Sequence, residues 1–280
     1  VSTEALSKAR ELAHALYPGP DWNAAHVEEG GQFHRVLVAN GEAVMRMSRT
    51  PQAARDMQRR VDLVDSLAGE FSFRLPTSLS RVWHGEGFSA VIQRFVPGAP
   101  HRPHAGDAAS LRRILDELAS VDVQPLGDLL APQFSFRGPW TTPKVAATLD
   151  ALPVDLRDGT QRVLDTIASF AEVPAALVHG DLAGHNMRWS DGKLHGILDW
   201  DMAAAWDPAL NTAYLGLWHG EGFIEEIAPG PDVAWRARVW LGAMSLESVF
   251  DASLDQEKDL GALVGKIGPR LAMAATAAGS

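Results

Sequence analysis

Apolar residues recur along this chain with two different periods. Leu6, Ala9, Ala13 and Leu16 follow one another at three- and four-residue steps. That spacing predicts an amphipathic helix from Ser2 to Tyr17, with Ser2 or Thr3 as N-cap and Pro18-Gly19-Pro20 as its stop. From Ala25 the period shortens: "HVEEGGQFHRVLVANGEAVMRMS" holds two short Val- and Phe-rich runs around Asn40-Gly41, a hairpin signal because both central turn positions need positive φ. Thr50-Pro51 opens a helix to about Gly69, since Thr can cap it and Pro is tolerated in the first turn. "LSRVWHGEGFSAVIQRF" reads as a second hairpin turning at Gly85-Glu86-Gly87. The Pro- and Gly-dense "VPGAPHRPHAG", 96–106, marks a boundary. Helical patterns then cover 107–121, 143–151, 157–171, 206–218, 232–254 and 256–278. They are broken by one short β region, where Asp191-Gly192 joins "NMRWS" to "KLHGILDW". The Ala-rich end, "LAMAATAAGS", reads as a fraying helix. The expected fold class is α+β with a small β-rich lobe and leading helix over 1–95, a linker over 96–106, and a larger helical lobe over 107–280.

Composition narrows the partners. With 280 residues and 46% hydrophobic content the chain can bury a substantial core. A formal net charge of -10 argues against nucleic acid or an anionic membrane, and a neutral or cationic small molecule fits better. The absence of Cys rules out disulfides and thiolate metal sites. The first helix lacks the basic start and apolar run of a signal peptide, and no apolar stretch is long enough to span a membrane, so a cytoplasmic location is expected. Nothing in the sequence sets an oligomeric state; a monomer is the expectation.

The chemistry gathers in "LVHGDLAGHNMRW". Behind an apolar run stand His179, Asp181 and Asn186, and the next hairpin ends on Asp199 in "GILDW". An Asp and an Asn five residues apart on one loop, with a further Asp closing the next hairpin, can supply one general base and two oxygen ligands for Mg²⁺. Phosphoryl transfer from a nucleoside triphosphate needs that set. A lone His-x-Asp is common and usually carries no chemistry. His179 alone would be a buried structural histidine and Asn186 alone a turn residue; the conjunction of spacing, apolar strand, hairpin and Asp-Trp is what points to a kinase.

"HGDLAGHN" followed by "ILDW" resembles the catalytic loop and metal-binding segment of the aminoglycoside phosphotransferase family, antibiotic kinases with a bilobal protein-kinase-like fold. The resemblance implies Asp181 as catalytic base, Asn186 and Asp199 as Mg²⁺ ligands, and a structural role for His179 under the loop. It extends to "GGQFHRVLV", like the family's nucleotide-covering hairpin with Gly30 and Gly31, although a plain turn explains these glycines equally well. "VIQRFVPGAP" resembles the interlobe hinge, which implies Ile92, Gln93 and Phe95 near the base of GTP or ATP. "WDPALNTAYL" resembles the helix after the metal segment, where Asp207 reads as a cap and brace and Asn211 stands where the family usually has Asp.

One departure concerns phosphate. The kinase pattern places a Lys on the third strand, paired with an acid on the following helix. Here no Lys lies between Lys8 and Lys144, and "EAVMRMSRTP" offers Arg46 instead, whose paired donors also suit phosphate. The helix "AARDMQRRVDLVD" has no Glu; of Asp56, Asp62 and Asp65, position favours Asp56 as the partner of Arg46. Asp201 reads either as a substrate-side acid or as a solvated neighbour of Asp199.

The acceptor is less legible. Residues 206–255 are rich in Trp, with Tyr214 and Trp218 as candidate substrate contacts and His185 beside the loop as another; core and loop packing are the alternatives. A polycationic aminoglycoside calls for many carboxylates, whereas a large apolar antibiotic with one amino sugar calls for an apolar groove with one or two acids. "GHN", "ILDWDMAAAWDPA" and the Arg of "VMRM" together resemble the macrolide phosphotransferases of this family. That resemblance implies transfer from GTP or ATP to the amino-sugar 2'-hydroxyl of a macrolide. A kinase of another small alcohol and a catalytically silent nucleotide-binding module remain the alternatives.

Overall fold

The computed structural model describes residues 2–28, 33–39, 41–135, 137–255 and 258–279. In chain order they begin with α1 (Thr3–Leu16), β1 (His26–Glu28), β2 (His34–Ala39), β3 (Ala43–Ser48) and α2 (Pro51–Ser66). There follow β4 (Trp83–His84), β5 (Ser89–Arg94), β6 (Ala99–Pro100), α3 (Ala108–Ser120), α4 (Thr142–Asp150) and α5 (Val154–Ser169). The remainder is β7 (Ala176–Val178), β8 (Met187–Ser190), β9 (Lys193–Ile197), β10 (Ala204–Trp206), α6 (Ala209–His219), α7 (Phe223–Ile227), α8 (Pro231–Ser253) and α9 (Leu260–Ala277). The class is α+β, as the sequence implied. Contacts divide the chain into two compact units: Val1–His101 with Leu126–Leu129 and His185–Asp201, and Arg102–Pro125 with Leu130–Gly184 and Met202–Ser280.

The first unit is built on an antiparallel sheet in the order β1-β2-β3-β5-β4. Strand alternation sorts β3: Ala43, Met45 and Met47 join Ala90 and Ile92 of β5 in the cluster that Ala13, Leu12 and Leu16 of α1 cover. Arg46 pairs with Val36 and Val91, and Val91 packs with Met57 and Val61 of α2, so Arg46 emerges on the sheet face that α2 covers. Both helix starts are capped as expected, Ser2 accepting from the Ala5 N–H and Thr50 from the Ala53 N–H. A small sheet, β6-β8-β9, completes this unit. Its β8–β9 turn has φ 52° at Asp191 and 71° at Gly192, the left-handed pair that a two-residue hairpin requires.

In the second unit α8 is the central helix. Val239, Leu241, Leu246 and Val249 are buried around it, packed with α5, α6 and α9. The two-stranded pair β7–β10, Ala204 opposite Val178, carries the loop that begins at His179.

Four expectations change. "AAW" pairs with β7 as β10, so the helix expected from 206 begins at Ala209. The strands flanking the loop belong to different sheets and different units, β7 to the second and β8 to the first, not to one β region on a helical lobe. The Ala-rich end is docked, with Ala274 and Ala277 buried and the Ala277 carbonyl accepting from Trp235 Nε1 at 2.7 Å. The short helix α7 was not foreseen. Asn40, Gly30 and Gly31 lie outside the described residues. Among the described residues no helix is long and apolar enough to cross a membrane.

Candidate active site

The chain leaves β7 through His179, which is fully buried. Its backbone N–H donates to Asn211 Oδ1 at 3.1 Å, and Asn211 Nδ2 donates to the Leu177 carbonyl at 2.9 Å, so one amide of α6 bridges the strand end. Gly180 then turns the chain with φ 85°; a Cβ there would lie 2.4 Å from the Met202 carbonyl oxygen, so only glycine fits. The Asp181 N–H donates back to His179 Nδ1 at 3.2 Å, and the Asp181 carbonyl accepts from Ala183 N–H at 2.8 Å. His179 thus holds the half-buried Asp181 from beneath through the backbone. Asp207 is the second brace: its carboxylate accepts from the Ala209 N–H, from Arg236 Nε and from Trp240 Nε1 at 2.7 Å.

In the first unit the hairpin β8–β9 brings Asn186 and Asp199 to one end. Met187 lies opposite Ile197, and the Leu198 N–H donates to the Asn186 carbonyl at 2.8 Å. Trp200, 2% exposed, bonds the Ile197 carbonyl through Nε1 and anchors the turn, while Asp199 adopts φ 61°, a left-handed conformation that Asp tolerates. An amide oxygen and a carboxylate are hard donors, and Mg²⁺ bound to a nucleotide takes most of its other ligands from phosphate and water; the donor set fits that ion. Among the described residues no group of three or more His, Asp or Glu is arranged to hold a metal.

Arg46 does not pair with Asp56, which instead accepts from Arg60 and Gln52. Its Nη2 donates to Asp201 Oδ2 at 2.5 Å, to Asp199 Oδ1 at 3.2 Å and to His34 Nδ1 at 3.0 Å. Arg60 Nη1 meets the same Asp201 oxygen at 2.8 Å. Asp201 is therefore no solvated neighbour: it is 8% exposed, with its charge taken up by two guanidinium groups. Burial favours the neutral Asp201, but Arg46 and Arg60 outweigh it and hold the carboxyl below its ordinary range. Burial likewise works against the charge on Arg46, and Asp201 with Asp199 overcomes it. His34 is pushed down to about 3, first by burial and then by Arg46, so it is neutral and accepts at Nδ1.

A family model described as "Phosphotransferase enzyme family" matches residues 25–240. The chain belongs to that family. A viomycin phosphotransferase from Streptomyces vinaceus is 29% identical to it over 237 residues, 78% of this chain and 81% of the relative. An aminoglycoside 2'-phosphotransferase-IIIa in its GDP complex superposes with a TM-score of 0.74 at 17% identity, covering 98% of this phosphotransferase and 99% of the other chain. A macrolide 2'-phosphotransferase from Brachybacterium faecium does so with a TM-score of 0.65 at 20% identity, covering 98% and 97%. At such identities the likeness is one of fold, the kinase-like fold that the sequence resemblance implied.

The second unit of the phosphotransferase also holds a partly open pocket, a cavity of about 60 Å³. Its walls include Phe134, Trp140, Trp206, Tyr214 and Trp240, and it reaches Gly180, the residue before Asp181. Among the described residues Glu247 and Arg137 are its charged members, 3.5 Å apart, while Arg137 makes a closer pair of 2.8 Å with Asp251. Burial raises the pKa of Glu247 against the opposing charges of Arg137 and Lys144. Tyr214 is likewise raised, by burial and then by the charge on Asp181, so the phenol stays protonated.

The other sequence candidates fall elsewhere. Trp218 does not line this cavity; its carbonyl accepts from the His104 N–H. His185 is exposed in the first unit, and its carbonyl accepts from Arg188 Nη1. Ile92 is fully buried, with its carbonyl taken by Leu79 N–H and its own N–H by Ser80 Oγ, so neither backbone group is left for a nucleotide base. Gln93 donates to the Pro76 carbonyl, whereas Phe95 lies beyond the end of β5. Sequence reasoning missed Arg60, His34, Phe134 and Trp140. Arg60 had a signal: it lies three residues after Met57 and four before Val64, on the apolar stripe of α2.

Proposed function

We propose that this phosphotransferase is an antibiotic kinase that transfers the γ-phosphoryl group of GTP or ATP to the 2'-hydroxyl of a macrolide amino sugar. In this reading Asp181 orients the acceptor hydroxyl and takes its proton, on a loop stiffened by His179 and Asn211. Asn186 and Asp199 hold Mg²⁺, which when bound neutralises charge on the transferring group. Arg46 holds nucleotide phosphate in place of the usual Lys, and the glycines at 30 and 31 close over it.

The observation that carries the macrolide reading is the cavity beside Gly180. Among the described residues five aromatic side chains and a single acid, Glu247, line it together with Arg137. A polycationic aminoglycoside would leave most of its ammonium groups without a partner there. An apolar body with one amine satisfies both the rings and the acid. A second reading, a kinase of viomycin, is favoured by the 29% identity to the viomycin phosphotransferase.

The test is mass spectrometry of purified protein with Mg²⁺, erythromycin, viomycin or kanamycin, and GTP or ATP, with Asp181→Ala as control. One phosphoryl mass gained on erythromycin and absent with the variant is the expected result. Gain on viomycin or kanamycin alone would replace the macrolide reading, and activity retained by Asp181→Ala would remove the base assignment. Nucleotide binding without transfer to any acceptor would leave a silent module.

A further inference from the structure

We infer that Asp201 is the residue that positions Arg46 for nucleotide phosphate, taking the place of an acid on α2, and that it does so for two cations at once. The inference rests on the kinase reading above. In the usual arrangement a strand cation meets a helix acid. Here α2 presents a cation instead: Arg60 sits on its buried face and reaches the Asp201 oxygen that Arg46 also holds, at 2.8 Å and 2.5 Å. One carboxylate therefore ties β3, α2 and the metal-binding turn together.

Asp201, not Asp199, is the anchor. Both acids accept from Arg46 Nη2, but the Asp199 side chain is 48% exposed and its contact is 3.2 Å, against 8% and 2.5 Å for Asp201. Asp199 can turn to a metal ion while Asp201 keeps hold of the guanidinium. The contacts of Arg46 among the described residues all run through Nη2. Pinned at that end, the planar guanidinium is held in a fixed direction and keeps the N–H donors of Nη1 for phosphate oxygens. His34 supports this: neutral at Nδ1, it accepts from Arg46 without adding a third positive charge.

A structural acid and a positioning acid differ in a double-mutant cycle. The measurement is nucleotide affinity, by displacement of a fluorescent nucleotide with and without Mg²⁺, together with the thermal midpoint, for wild type, Asp201→Asn, Arg46→Met and the two combined. Asp201→Asn is expected to weaken GTP or ATP binding tenfold or more when Arg46 is present, and less than twofold when Arg46 is already Met. An equal loss in both backgrounds, or no loss, overturns the inference. Should Asp201→Asn not fold, Asp201→Asn with Arg60→Gln removes one buried charge of each sign and leaves Arg46 charged but unanchored; the same tenfold loss is expected, and wild-type affinity in that variant would overturn it. Failure of wild type to bind either nucleotide would instead strike the kinase reading itself. A kcat/KM split adds the last check, with the nucleotide KM moving and the acceptor KM unchanged.

Discussion

Asn211 and His179 are joined by a hydrogen bond that an aspartate could also accept, but the amide of Asn211 does a second thing that an aspartate could not, donating to the Leu177 carbonyl at 2.9 Å. At 2% exposure, Asn211→Asp would face that carbonyl with an anion. The substitution is expected to destabilise by about 2–4 kcal/mol near neutral pH. Its folded-state pKa would be raised above the unfolded value, so the deficit should shrink as pH falls from 7 towards 4. Thermal midpoints of both proteins across that range check it; parallel curves would show that the second bond contributes nothing.

His34 makes the opposite pH dependence. Its folded pKa of about 3 lies below the ordinary 6.5, so between those values the unfolded chain binds a proton that the folded protein refuses. Stability should therefore rise with pH across that window and flatten above it, the His34 share being on the order of a few kcal/mol. Arg46, Asp201 and Arg60 are the charges that face it. His34→Gln should flatten the acid limb in a urea series at pH 4.5, 5.5 and 7. A variant whose curve keeps the full slope would place the proton uptake elsewhere.

Gly180 carries the sharpest steric constraint on the loop. With φ 85° and the Met202 carbonyl 2.4 Å from any added Cβ, Gly180→Ala must displace either Asp181 or the segment at Met202. A loss of about 2–4 kcal/mol is expected, with kcat falling by more than tenfold and nucleotide affinity holding. Unchanged turnover would mean that the loop tolerates another path.

What was legible in the sequence was local. The side-chain caps at Ser2 and Thr50 and the hairpin turn at Asp191-Gly192 each depend on residues within three or four positions. That turn sets the register which brings Asn186 beside Leu198. What was not legible depends on partners far along the chain. β10 exists only because Ala204–Trp206 finds β7, and the Ala-rich end is ordered because small residues let α9 lie against α8, with Ala274 beside Gly242. Asp56 was favoured by its position on α2, but the carboxylate that Arg46 holds lies 155 residues further on. The aromatic wall was half visible: Tyr214 and Trp240 sit on readable helices, while Trp206 lies on β10, and Phe134 and Trp140 lie in an irregular stretch with no periodicity to reveal which way they face.

Glu247 gives the most direct test of what the cavity recognises. Among the described residues it is the one acid that lines the cavity, and burial already lifts its pKa. Its neighbour Arg137 is held more closely by Asp251, at 2.8 Å against 3.5 Å, so a cationic amine can compete for Glu247 without breaking the stronger pair. Glu247→Gln keeps the shape and removes the charge. For an acceptor with one amine, KM should rise about tenfold, about 1.4 kcal/mol, with the nucleotide KM unchanged. For the same acceptor with its amine acylated, wild type and variant should bind alike. Because the acid must be ionised to hold the amine, wild-type acceptor affinity should also weaken as pH falls through the raised pKa of Glu247, and the variant should lose that dependence. If Glu247→Gln leaves the amine-bearing acceptor's KM untouched, the aromatic walls alone select the substrate and the charge of Glu247 serves only to hold Arg137.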